Sequence, residues 1–165
     1  MAEMTTPQRL LDNAEKYPGE PALSIRSGSD SEGKWTWDTM NWRQFADEVV
    51  AVSKSLISMG FEKGDKMSIY AYNCPEWYSC YGATQMTNGV GVGVYHTSSP
   101  EEVEWVIGNS ESKVVIVGNN PQSGGDPEKT PSRRCAKIAD SLPAVECIVV
   151  LDGVEPIDHE KAMSW

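Results

Sequence analysis

The chain has 165 residues, with 39% hydrophobic and 23% charged, a globular composition rather than a disordered one. No run approaches the ~18 apolar residues of a membrane span. The formal charge of −10 repels a phosphate backbone and argues against nucleic-acid binding.

Residues 5–17 read as a helix with Leu10, Leu11 and Ala14 on one face, ended by Tyr17-Pro18-Gly19. PALSIRS and KWTWDTM alternate as strands around the turn GSDSEG and predict a hairpin. Residues 41–59 carry the strongest helical period, through Trp42, Phe45, Ala46, Val49, Val52, Ser53, Leu56 and Ile57. Asn41 and Gln44 form a capping box at its start, and Gly60 ends it. A strand at 67–72 follows, and Asn73 is read as the cap of a helix with Pro75 in its first turn. The next elements are a strand at 89–95, a helix at 101–109 and a strand at 114–117. A loop at 118–131 leads to a helix at 133–142 and a strand at 147–151. Strands separated by helices imply right-handed parallel β-α-β units. The expected fold class is therefore α/β, a parallel sheet with an N-terminal hairpin. Residues 152–165 read as a tail without a terminating element.

The stretch NGVGVGVYHTSSPEE tests a nucleotide-binding reading. A dinucleotide fingerprint, G-x-G-x-x-G, fails: the sixth position is Val94 counted from Gly89 and His96 counted from Gly91. Gly89, Gly91 and Gly93 share one strand face and leave it bare, which suits close helix packing or the approach of a ligand. Ser99, Pro100 and Glu102 explain themselves as a capping box with proline at the first helical position. Tyr95, His96 and Thr97 do not. They sit at the carboxyl end of a parallel strand, where open α/β sheets place ligands, and are the candidate substrate-proximal residues. His96 either donates to an anion there or is a partly exposed loop histidine.

GSDSEGKW matches G-x-x-x-x-G-K but lacks the following Ser or Thr and the helix a phosphate loop needs; Asp30 and Glu32 also carry the wrong sign. SGGDPEKTP reads as a surface loop. Arg133, Arg134 and Lys137, the nearest approach to a basic patch, read as solvated cations. Four cysteines without C-x-x-C spacing and two histidines make zinc improbable, and the thiols read as reduced. The N-terminal residues show no secretory signal, so the expected location is cytoplasmic. No catalytic or metal residue is assigned.

The ordered motifs over residues 5–165 resemble the N-terminal part of the adenylate-forming enzymes, the acyl-CoA synthetase and luciferase superfamily. They are an aromatic-rich strand; a helix ending in GxxxGD, here Gly60, Gly64 and Asp65; an N-x-P-E turn, here Asn73, Pro75 and Glu76; and a Tyr-x-Thr turn, here Tyr95 and Thr97. NCPEW and YHTSSPE are most similar to long-chain fatty acyl-CoA synthetases of the bubblegum type. The resemblance implies activation of a fatty acid with ATP and Mg2+ to an acyl-adenylate, followed by transfer to coenzyme A. It also implies that residues 1–165 are the first subdomain of a partial AMP-binding domain. Residues 152–165 are then a linker toward a phosphate loop ending in Pro-Lys-Gly, which no residue of this sequence matches. The implied partners are the fatty acid and the remainder of the same enzyme, the phosphate-loop subdomain and the C-terminal domain. A peripheral association with endoplasmic reticulum or another membrane is also implied. The fragment alone is expected to be inactive and to bind none of the cofactors tightly. The alternative is a non-catalytic α/β binding or interaction module derived from that fold. The coding sequence beyond Trp165 separates the two readings.

Overall fold

A computed structural model describes residues 4–118 and 126–165. Part of the expected loop at 118–131 lies outside these residues.

Helix α1 (Thr6–Lys16) precedes a two-stranded antiparallel hairpin, β1 (Pro21–Ser29) and β2 (Trp35–Asn41). Helix α2 (Trp42–Ser58) follows directly. The Asn41 side chain accepts from the Gln44 amide at 2.8 Å, and the Gln44 side chain accepts from the Asn41 amide at 2.9 Å, as its sequence predicts. The unit then repeats: β3 (Lys66–Tyr70), α3 (Pro75–Met86), β4 (Val90–Val94), α4 (Pro100–Ser110), β5 (Val114–Val117), α5 (Pro131–Ile138) and β6 (Cys147–Val150). All strand pairs from β3 onward are parallel.

Three elements depart from the sequence expectation. The cap of α3 is Cys74, not Asn73, and its side chain makes no capping bond. Pro75 takes the first helical position, so the cap must be the residue just before it. Helix α5 starts two residues earlier than expected, at a proline, and tightens into a 3₁₀ turn, Ala139–Ser141. Within 152–165, residues Ala162–Ser164 form a further strand, β7, which pairs parallel with β6. Three residues are too few for alternation to register against a polar background.

The sheet order is β4-β3-β5-β6-β7. Its central strands bury both faces. Met67, Ile69, Val114, Ile116 and Val149 meet α1, α2 and α3, while Tyr70, Val115, Val117, Ile148 and Val150 meet α4 and α5. That explains the unbroken apolar runs of β3, β5 and β6. On α2, Val49 and Leu56 are fully buried, each worth ~1.5–3 kcal/mol relative to exposure.

Strand β4 is the exception, because its bare glycine face admits neighbours directly. A methyl group on Gly91 would lie 2.5 Å from the Tyr81 ring of α3, and one on Gly89 would lie 2.5 Å from the Phe61 ring and 2.8 Å from the Asp65 carbonyl. Close packing is therefore what these two glycines serve. Gly91→Ala and Gly89→Ala should each destabilise the chain by ~1–3 kcal/mol, the usual cost of overpacking. The shift of the urea midpoint measures this.

The starts of β3 and β5 are tied by Lys113. Its ammonium lies 3.2 Å from Asp65 and donates to the Gly60 carbonyl at 2.7 Å. Asp65 also accepts from the Glu62 amide at 2.8 Å. This amide, with help from Lys113, holds the Asp65 carboxyl below its usual range. A depressed folded pKa gives stability that is fully present above the unfolded value of about 3.9 and is lost as pH falls through the folded one. Asp65→Asn should therefore flatten the acid limb of the stability profile below about pH 4 and lower stability at neutral pH. Denaturant titrations across that range check both.

Candidate functional site

The connections after β3 and β5 leave on opposite faces, since α3 packs on one side of the sheet and α5 on the other. Open α/β sheets bind ligands beyond the carboxyl strand ends at such a reversal. Between β3 and β5 the gap is shut: a methyl group on Gly118 would lie 2.4 Å from the Ala71 side chain. The opening falls on the β4 side instead. There a cleft of about 430 Å³ is lined by Ala71, Tyr72, Asn73, Trp77, Gly93, Val94, Tyr95 and His96.

The glycine stripe explains the cleft. At Gly91 the α3 side chains touch the strand, but at Gly93 the nearest atom to an added methyl would be on Trp77, 3.8 Å away. Trp77 is held by stacking on Tyr81, with centroids 5.4 Å apart and planes at 20°. Tyr72 meets the His96 ring edge-on at 5.0 Å, and Tyr95 lies 5.1 Å from the same ring. Tyr95 is 72% exposed. The cleft thus has aromatic walls with Asn73 and His96 as polar groups, the composition of a small-molecule site.

Of the three candidate residues, Tyr95 and His96 line the cleft. Thr97 does not; it lies on the turn beyond, where its carbonyl accepts from Arg134. Asn73, expected as a helix cap, faces the cleft instead. Arg134 was not singled out by its pattern. Its Nη1 donates to the Thr97 carbonyl at 2.9 Å and also to the Ser98 carbonyl, and its Nε donates to the Glu128 carbonyl at 3.3 Å. Arg133 makes a two-pronged pair with Glu155 at 2.9 and 3.0 Å, and Lys137 pairs with Glu128. The three cations are thus engaged with protein groups rather than merely solvated.

The Ser99–Glu102 capping box is present, with bonds of 2.8 and 3.3 Å. It fixes the direction in which α4 leaves the turn. In the near-miss GSDSEGKW, the Glu32 and Lys34 amides donate to Asp30, at 3.0 and 2.9 Å, so that turn is closed on its own carboxylate. The Cys74 thiol, at the start of α3, is pushed up to about 12 by burial, which rules it out as a nucleophile at neutral pH. Among the described residues no three of His, Cys, Asp or Glu converge to hold a metal ion, and no helix is long and apolar enough to cross a membrane.

The chain is 29% identical to the long-chain-fatty-acid–CoA ligase heimdall of Drosophila melanogaster over 98% of this chain and 22% of that protein. It is 30% identical to the long-chain-fatty-acid–CoA ligase ACSBG2 of Mus musculus over 72% of this chain and 17% of that protein. The chain therefore spans about a fifth of the length of these relatives. The fold is similar to that of coronafacic acid ligase from Pectobacterium brasiliense, with a TM-score of 0.72, 20% identity, and coverage of 98% of this chain and 28% of that one. It is also similar to the anthranilate CoA ligase AuaEII solved with anthranoyl-AMP, with a TM-score of 0.69, 20% identity, and coverage of 90% and 25%. The family of AMP-binding enzymes matches residues 10–164, and with the parallel sheet and its cleft already in view, the chain belongs to that family.

Proposed function

We propose that this chain is the first subdomain of a long-chain fatty acid–CoA ligase and supplies one wall of its substrate site. The observation that carries the reading is the cleft at the carboxyl ends of β3 and β4, in a chain whose family and relatives are adenylate-forming ligases. In the complete enzyme a fatty acid carboxylate oxygen attacks the α-phosphorus of ATP. Pyrophosphate leaves and an acyl-adenylate remains. The thiol of coenzyme A then attacks the acyl carbon and expels AMP. A carboxylate is a poor acyl donor until its oxygen becomes a leaving group, and the charge on the phosphates needs donors to spread it.

This chain's part is shape and hydrogen bonding. Trp77, Tyr72 and Tyr95 offer apolar surface, while His96 and Asn73 can donate to an oxygen of the bound carboxylate or phosphate. The metal and the triphosphate are assigned to the phosphate-loop subdomain of the complete ligase. The remainder of the ligase is the partner. A groove of about 290 Å³ between α2 and the β5–β7 side of the sheet, lined by Leu56, Met59, Ile116, Val149, Met163 and Trp165, offers it an apolar seat. The reading places the enzyme in the cytoplasm, and a fatty acid substrate suits peripheral contact with a membrane.

The test is ATP–pyrophosphate exchange, driven by a long-chain fatty acid, in a complete ligase carrying this segment. His96→Ala should lower exchange about ten- to a hundredfold, the effect of losing a hydrogen bond to a charged group, and His96→Gln should restore part of it. Unchanged exchange in His96→Ala would remove His96 from the site.

A further inference from the structure

Arg134 is the one cation on α5 that reaches the turn following the cleft residues Tyr95 and His96. Its partners are two successive carbonyls, Thr97 and Ser98, immediately after His96. The Ser98 carbonyl also accepts from the buried Tyr70 hydroxyl at 3.4 Å, and the Ser98 amide donates back to the Tyr95 carbonyl at 2.9 Å. The turn Tyr95–Ser98 is therefore closed by its own bond and held from outside by Nη1 of a permanently charged guanidinium, which donates to both carbonyls. Such charge-assisted bonds are about twice as strong as neutral ones. On its other side the same guanidinium is anchored to the Glu128 carbonyl. Arg133, on the same helix, points away to Glu155 and touches none of this.

We propose that Arg134 is a positioning residue for the cleft: by clamping the Thr97 and Ser98 carbonyls it sets where the Tyr95 and His96 rings stand over Gly93. This rests on the reading of the cleft as substrate-facing. Arg134 itself touches no substrate. It acts through the turn, and a lysine in its place would lack the separate Nε donor that anchors the guanidinium to the Glu128 carbonyl.

The 165-residue chain contains two histidines, so their ring signals are separately resolved by NMR, and His159, paired with Asp140 at 3.1 Å, serves as the internal reference. In Arg134→Ala the His96 ring signal should move while that of His159 stays. Hydrogen exchange at the Ser98 amide should rise about tenfold, the factor expected from losing one charged hydrogen bond. Arg133→Ala should leave both at their starting values. Arg134→Lys, which keeps the charge and the aliphatic stem, should give a smaller change in the same direction and serves if Arg134→Ala does not fold. Unchanged His96 and Ser98 readings in the Arg134 variants would overturn the proposal. So would an equal change in Arg133→Ala, which would make helix packing the cause. Pyrophosphate exchange in His96→Ala reports on the cleft reading separately. If exchange is unchanged there while the NMR changes occur, the clamp stands and the substrate-facing reading falls.

Discussion

The approach of α3 to β4 is the constraint on which the rest of the architecture turns. At Gly91 the Tyr81 ring of α3 leaves no space for even a methyl group, and at Gly89, just before the strand, Phe61 and the Asp65 carbonyl leave none either. Glycine lacks a Cβ, so the edge strand can carry a helix closer than any other residue allows. The same geometry has a second effect one step along the strand. At Gly93 the nearest atom to an added methyl group is on Trp77, 3.8 Å away, so the bare face is not filled there. What is tight packing at one end of β4 becomes an open cleft at the other.

A cleft made this way is only as defined as its rim. On the β3 side the rim is held by the buried strand itself, since Tyr70 and Ala71 are nearly inaccessible. On the β4 side it is a turn, and turns have few contacts to fix them. Three separate devices act on this one. The Ser99–Glu102 box fixes its exit into α4, the Tyr70 hydroxyl meets the Ser98 carbonyl from below, and Arg134 meets it from α5. A strand and two helices of one face of the sheet thus converge on four residues. That convergence is what distinguishes residues 95–98 from an ordinary surface connection.

Much of this was legible in the sequence because it is local. The α2 stripe and its Asn41–Gln44 box, the Ser99 box and the parallel alternation all depend on neighbours within a few positions, and the structure reproduces them. The bare glycine face was legible too, since residues two apart share a face. The pattern left open whether packing or a ligand claims that face; the structure assigns Gly89 and Gly91 to packing and leaves Gly93 at the cleft. What failed was register by one residue and reach across the chain. Asn73 has the chemistry of a cap, but Pro75 moves the cap to Cys74. Arg134 reaches a partner 36 and 37 residues away, and nothing in the run SRRCAK separates it from Arg133. Strand β7 is three residues long and is stabilised by its pairing with β6 rather than by its own composition.

The central claim is that the open end of the glycine stripe, and not its packed end, is what this segment contributes to a ligase. Gly93→Val tests it most directly, because a side chain there enters the cleft with only Trp77 nearby and no backbone to displace. In a complete ligase carrying this segment, the account predicts an unfolding midpoint close to that of the parent and a large loss of acyl-adenylate formation. Full acyl-adenylate formation by a folded Gly93→Val enzyme would contradict it.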